Sequence, residues 1–347
     1  MKLEERINAF SELGRIITGT IQGEENKFSS KLNNEIISQE KDNAWFTAAN
    51  VRMALKAIGA MLTSENLTSW TRRYPAIEHR EDSFTVGVVM AGNIPLVGFH
   101  DFLSVLISGN RIVARTSSKD SSLIRELSHI LCFINPEFNR FISFTDGVLK
   151  DFDLIIATGS DNSSRYFEYY FGKYPHIIRK NRTSIAVLEG NETSEELQNL
   201  GTDIFSYFGL GCRNVSKVYL PEGYDIINMV KNWNNFSDII NHNKYANNYD
   251  FNKAIWMVNR EKFTDTGFLL LKESTELASP VAVLFYEYYD NERNLQKVMS
   301  ANGEKTQCIC GNKYIPFGKA QYPELWDYAD NVDTFEFLLK KKSPGIR

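Results

Sequence analysis

Three short apolar runs in the first half of the chain, each followed by a turn of small residues and then a helical stretch, limit what the sequence can build. Phe84 to Met90 leads into Ala91-Gly92-Asn93-Ile94-Pro95, Arg111 to Ala114 into Arg115-Thr116-Ser117-Ser118, and Leu154 to Ala157 into Thr158-Gly159-Ser160. Strands alternating with helices predict a parallel, doubly wound sheet of the α/β class. Such sheets hold ligands beyond the carboxyl ends of their strands, where all three turns fall. No G-x-G-x-x-G occurs, so a dinucleotide site on this sheet has to use a different cradle.

The 347 residues are long for one core, and two domains are expected. Residues 1 to about 75 read as helical, with Ile7, Phe10, Leu13, Ile16 and Ile17 at helical spacing, a polar break from Gly19 to Ser30, and the pattern repeated from Trp45 to Leu62. These positions are packing surface rather than chemistry. Beyond the three units, a strand at Ser184 to Leu188 runs into Glu189-Gly190-Asn191, and a helix from about Ser194 to Phe208 follows. A second set of strands and helices then reaches about residue 310, including the apolar runs Ala254 to Val258 and Val281 to Tyr288. Pro316-Phe317-Gly318-Lys319 is a last punctuated turn before an aromatic, acidic tail.

A formal charge of −4 gives no electrostatic footprint for nucleic acid, and the basic tail Lys340-Lys341-Lys342 is too short to change that. A small molecule or a protein is the expected partner. The N-terminus is too charged for a signal peptide, and no apolar run reaches the ~18 residues of a membrane span. Cysteines at 132, 212, 308 and 310 form no disulfide framework, which suits a reducing, cytoplasmic compartment. Cys308 and Cys310 lie on one strand and are read as facing opposite sides. No metal site is expected there, since further Cys or His ligands are missing.

The chemistry centres on Phe205-Ser206-Tyr207-Phe208-Gly209-Leu210-Gly211-Cys212-Arg213-Asn214, just ahead of the strand Val215 to Leu220. Two glycines let the backbone approach a neighbour closely, and Cys212 falls at the sharp helix-to-strand turn. Such a turn exposes a thiol to a cleft, with Arg213 and Lys217 close enough in sequence to favour its thiolate. The alternative is a small buried hydrophobe, the common fate of a free cysteine. The aromatics Tyr166, Phe167, Tyr169, Tyr170, Phe171, Phe205, Tyr207 and Phe208 serve either as core or as the lining of an apolar tunnel.

In this order the motifs from about Phe84 onward resemble the aldehyde dehydrogenase superfamily and, within it, the acyl-CoA reductases of the LuxC type. The resemblance implies an α/β, aldehyde dehydrogenase-like fold with a doubly wound parallel-sheet cofactor domain and a second α/β catalytic domain. The expected boundaries are 1–187 for the N-terminal helices and NADP-binding domain, 188–318 for the catalytic domain with its cysteine nucleophile, and 319–347 for a C-terminal segment. Gly92-Asn93-Ile94-Pro95 is similar to the family's asparagine turn, which implies that the Asn93 amide and the Cys212 N–H form an oxyanion hole; Asn93 alone reads equally as a turn residue capping its own backbone. Arg115 stands where relatives carry the lysine that holds the adenosine ribose. Ser118 replaces the glutamate of NAD-preferring relatives, and with Arg115 and Lys119 beside it the resemblance implies NADPH.

Thr158-Gly159-Ser160 resembles the family's turn at the helix beside the pyrophosphate, where free N–H groups meet an anion. Glu189-Gly190 looks like the family's glutamate before glycine; it handles protons, helps expel the leaving thiol, or is structural. Glu276-Leu277-Ala278-Ser279-Pro280-Val281 resembles the motif whose glutamate holds the nicotinamide ribose, and Pro316-Phe317-Gly318 the turn that closes the site. The implied reaction is NADPH-dependent reduction of an acyl-CoA or acyl-protein thioester to the aldehyde through an acyl-cysteine. The alternatives are the CoA-acylating reverse reaction and an acyl carrier without reductase activity. An acyl-activating ligase is the implied protein partner, and homo-oligomerisation stays open.

Overall fold

The computed structural model describes residues 1–77 and 83–340; Lys341 and Lys342 of the basic tail lie outside them. The chain divides into two compact units, one formed by residues 1–180 with the stretch from 324 onward, the other by residues 181–323.

In the first unit the helical periodicity becomes α1 (Leu3–Gln22), α2 (Ser29–Asp42), α3 (Ala48–Met61) and α4 (Ser64–Thr71). The spacing read from the sequence is the buried face: Phe10, Leu13 and Ile17 have no exposed surface and meet Leu32, Leu55 and Leu67 in one core. Threonines cap two of these helices, Thr47 accepting from the Asn50 N–H and Thr63 from the Asn66 N–H. Trp70 is fully buried and donates to the Tyr328 hydroxyl at 2.8 Å, and Tyr74 donates to Asp333 at 2.6 Å, so the C-terminal stretch is stitched onto the N-terminal helices.

The strand and turn units become β1 (Thr85–Val89), α5 (Phe99–Ile107), β2 (Arg111–Arg115), α6 (Ser122–Ile134), β3 (Ile142–Phe144), β4 (Leu154–Thr158), α7 (Asp161–Phe171) and β5 (His176–Arg179). All five strands are parallel, in the order β3-β2-β1-β4-β5. The order reverses between β1 and β4, the switch point at which doubly wound sheets leave a crevice. The turns after β1 and β4 therefore flank that crevice.

The second unit holds β6 (Thr183–Val187), α8 (Ser194–Phe205), β7 (Val215–Pro221), α9 (Ile226–Lys231), α10 (Asn243–Val258), β8 (Thr264–Asp265), β9 (Leu270–Glu273), β10 (Val283–Tyr289), α11 (Glu292–Ala301) and β11 (Thr306–Cys310). Its sheet runs β11-β6-β7-β10-β9-β8, parallel apart from the antiparallel β8 and β9 pair. Of the two apolar runs read here, 254–258 ends α10, whereas the other contains β10. One face of the sheet packs Val218, Leu220 and Leu284 under α8, and the other packs Ile185, Val187 and Tyr219 under Leu295 and Met299 of α11. Both faces are covered, as a mostly parallel sheet requires.

Cys308 and Cys310 correct the reading that they face opposite sides. Successive strand residues alternate faces, so positions two apart share one. Both thiols lie in the core under α8, while Ile309 points to the other face. Cys310 donates to Cys308, which lowers the Cys308 thiol below its ordinary range.

Candidate active site

In the first unit the turns after β1 and β2 are joined. The Gly92 backbone passes so near Ser117 that an added Cβ would lie 2.5 Å from its hydroxyl, which restricts the position to glycine. Asp120 accepts the Leu96 N–H at 2.8 Å, holding Leu96 in a left-handed conformation (φ 58°). That carboxyl is buried and its other oxygen has no partner among the described residues, so burial pushes its pKa up to about 7 against the pull of the Leu96 N–H. Asn93 is exposed at the apex between these anchors.

Arg115, Ser118 and Lys119 are exposed at the carboxyl end of β2, where the Lys119 N–H donates to Ser117 Oγ at 3.2 Å and tightens the turn. Thr158, the last residue of β4, and Gly159 are half-buried, and Ser160 caps α7 by accepting the Ser163 N–H at 3.3 Å. A Cβ on Gly159 would meet the Phe167 ring at 2.8 Å, so the turn lies flat on its own helix. Thr158 contacts Arg179, which is buried and paired with Asp101. Thus Asn93, Arg115 to Lys119 and Thr158 to Ser160 all lie at or just beyond the carboxyl ends of strands of one sheet. Tyr166, Tyr169 and Tyr170, read as core or tunnel, are instead exposed on α7.

In the second unit α8 stops at Phe205, short of the helix read to Phe208. Tyr207, Phe208 and Gly209 then adopt left-handed conformations (φ 51°, 58° and 77°). Three in succession reverse the chain, and the two aromatics do so against their intrinsic preference. Cys212 follows, half-buried, before the bulged start of β7. Asn214 Oδ1 accepts the Gly211 N–H at 2.8 Å, and Ser184 Oγ donates to the Cys212 carbonyl at 2.9 Å.

The two cations read beside Cys212 have other engagements. Lys217 is fully buried, paired with Glu287, and Arg213 Nε donates to the Ala320 carbonyl. A cleft of about 20 Å³ adjoins the turn, lined by Ile204, Phe205, Phe208, Tyr245 and Val283.

Glu189 ends the run from β6. Hydrogen bonding from Lys313 (3.2 Å) and Asn312 (3.4 Å) lowers its pKa, so it stays a charged acceptor. Glu276 is exposed in the loop between β9 and β10, which is pinned where Ser216 Oγ donates to the Leu277 carbonyl at 2.9 Å. The Pro316-Phe317-Gly318 turn is held by Asp203 of α8, which accepts the Gly318 N–H at 2.7 Å and the Ala320 N–H at 3.0 Å.

Burial pushes the Asp203 carboxyl up to about 6, against those N–H groups. Its folded pKa thus lies above the unfolded value, and the folded chain holds the extra proton between roughly pH 4 and 6. Stability therefore falls as pH rises through that window and is level above it. In urea titrations the wild type should lose on the order of 2–3 kcal/mol relative to Asp203→Asn between pH 4 and 7. Parallel curves for the two proteins would contradict this.

No sequence motif gives a role to Asp120, Ser184, Asp203 or Asn214. The nearest sequence signal is small: polar residues inside or beside apolar runs, whose partners become apparent only in the fold.

Residues 32–232, more than half of the chain, match the family model described as acyl-CoA reductase (LuxC). No curated protein matches the sequence. Among solved structures, the Mycobacterium tuberculosis aldehyde dehydrogenase in complex with NAD+ is similar at 13% identity and TM-score 0.65, over 89% of this chain and 73% of that one. A Physcomitrella patens aldehyde dehydrogenase bound to succinate is similar at 12% identity and TM-score 0.61, over 90% and 74%. The Methanocaldococcus jannaschii glyceraldehyde-3-phosphate dehydrogenase in complex with NADP is similar at 14% identity and TM-score 0.59, over 89% and 76%. The fold is aldehyde dehydrogenase-like, and the chain belongs to the LuxC family of acyl-CoA reductases.

Proposed function

We propose that this chain reduces an acyl thioester to the aldehyde through an acyl-enzyme on Cys212, with NADPH as reductant. The observation that carries this reading is the turn that bears Cys212. A half-buried thiol comes shortly after three consecutive left-handed residues, and backbone strain of this kind clusters at functional sites.

In the first half-reaction the Cys212 thiolate attacks the thioester carbonyl carbon. The new C–S bond forms as negative charge moves to the carbonyl oxygen. Collapse breaks the bond to the outgoing thiol, which leaves as thiolate and takes a proton from solvent. Asn93 keeps the oxyanion-donor role that the resemblance gives it, together with the Cys212 N–H. The reduced nicotinamide, when bound, supplies the hydride for the second half-reaction. Cys212 then departs from the resulting thiohemiacetal as thiolate and the aldehyde is free. Holding the acyl group on sulfur splits one difficult step into two easier ones.

Two features of the first unit fit a dinucleotide. The turns flank the sheet's switch point, and α7 presents a capped N-terminus there, suited to a pyrophosphate. Arg115 and Lys119 are exposed without a carboxylate partner among the described residues, and Ser118 adds no charge of its own to repel a 2′-phosphate. Arg115→Glu is expected to move the ratio of kcat/KM for NADPH over NADH at least about tenfold toward NADH, the worth of one charge-assisted contact. Equal ratios in both proteins would remove the basis for NADPH. Glu276 is assigned to the nicotinamide ribose.

Glu189, held ionised by Lys313, suits a proton acceptor or a structural anchor better than a general acid. The four cysteines are free thiols, as a reducing cytoplasm would leave them, and no described helix is long and apolar enough to cross a membrane. Turnover of a long-chain acyl-CoA with NADPH, followed at the nicotinamide absorbance with the aldehyde trapped as a hydrazone, tests the whole reaction. NADPH loss without aldehyde would defeat it.

A further inference from the structure

The Cys212 turn is pinned from two sides by buried side chains. Asn214 is 2% exposed and Ser184 has no exposed surface. Asn214 Oδ1 accepts the Gly211 N–H at 2.8 Å, and its Nδ2 donates to the carbonyls of Ser206 at 2.8 Å, Asp203 at 3.0 Å and Ile204 at 3.4 Å. The orientation of the amide follows from its partners, since an N–H only donates and carbonyls only accept.

A helix end leaves its last carbonyls without partners, and a left-handed glycine with its own N–H groups usually supplies them. Here the chain turns away through Tyr207, Phe208 and Gly209, and the Asn214 amide supplies the donors. On the far side Ser184 Oγ donates to the Cys212 carbonyl at 2.9 Å and accepts the Cys308 N–H at 3.1 Å. The backbone is thereby held at the Gly211 N–H, one residue before Cys212, by the Asn214 amide, and at the Cys212 carbonyl by Ser184 of β6.

We propose that Asn214 is a positioning residue for acyl transfer: by tying the Gly211 N–H to the carbonyls that end α8, it fixes where the Cys212 thiol stands. This rests on Cys212 being the nucleophile. Asn214 itself touches no reacting atom. Its contribution is the angle and reach of the thiol, to which covalent capture is sensitive at the level of an ångström or less.

The test uses the full chain and a long-chain acyl-CoA without cofactor, with the rate of adduct formation at Cys212 read by quenched mass spectrometry from pH 6 to 8.5. Wild type is compared with Asn214→Ala and the isosteric Asn214→Asp, rates being taken per folded molecule with the folded fraction from circular dichroism. At pH 8.5 both variants are expected to acylate about 100-fold more slowly, the effect of a small misplacement. Asn214→Asp keeps the acceptor for Gly211 but presents an ionised carboxyl to three carbonyls. Burial at this position and the three facing carbonyls raise that carboxyl well above the ordinary aspartate range, so that as the pH falls it gains a proton and with it a donor. Its rate relative to wild type should therefore recover at least about tenfold by pH 6, a change of one decade in an equilibrium shared between two protonation states, while Asn214→Ala stays flat.

Wild-type rates in the folded variants, or an equal and pH-independent fall in both, would overturn the proposal and leave Asn214 a helix cap. Absence of an adduct on wild type would overturn the nucleophile reading and this proposal with it. An adduct on wild type with unslowed variants overturns the positioning role alone. If Asn214→Ala does not fold, the pH profile of the isosteric variant decides.

Discussion

Cys212→Ala is expected to form no acyl adduct and to reduce acyl-CoA at less than about one part in 10⁴ of the wild-type rate, because removing a covalent nucleophile leaves only binding and electrostatic stabilisation. The substitution deletes one sulfur from a half-buried position, so the folded chain and its cofactor affinity should be retained. Stopped-flow turnover and fluorescence titration with NADPH measure the two separately. Substantial aldehyde production by the variant would mean direct reduction of the bound thioester. Cys132, also half-buried, is the internal control, since burial raises its thiol and Cys132→Ala should leave turnover unchanged.

Asn93→Ala is expected to lower kcat by about 100- to 1000-fold with little change in KM, the pattern for a donor that works mainly when charge develops on the carbonyl oxygen. Steady-state kinetics over a range of acyl-CoA concentrations give the split. A rise in KM at constant kcat would instead make Asn93 a ground-state contact. The backbone should tolerate the change, because the turn is held at Gly92 against Ser117 and at Leu96 by Asp120, on either side of Asn93.

The parts of the fold that could be read from residues alone are those governed by neighbours in sequence. The helical stripe of Phe10, Leu13 and Ile17 and the apolar runs at β1, β2 and β4 carry their own periodicity, and small residues mark the turns that follow. Strand order is a property of distant pairing. Nothing local in Val86 says that Ile112 lies on one side of it and Leu154 on the other.

Around Cys212 the divide is equally physical. A sharp turn was legible from Gly209 and Gly211. The left-handed Tyr207 and Phe208 were not, since aromatic residues have no intrinsic preference for that conformation and only tertiary packing holds them there. Asp203 reaches Gly318 and Ala320 across more than a hundred residues, and Ser184 reaches Cys212 across 28. Such contacts leave no local pattern. Arg213 and Lys217 illustrate the converse: closeness in sequence predicted help for the thiolate, yet the cross-strand pair with Glu287 and the Ala320 carbonyl claim them.

The most direct measurement is mass spectrometry of the wild-type chain mixed with a long-chain acyl-CoA, first without cofactor and then after addition of NADPH. One acyl group is expected on the peptide that contains Cys212, lost on adding NADPH as an equivalent of aldehyde appears. No adduct, or an adduct confined to Cys132, would contradict covalent catalysis at Cys212.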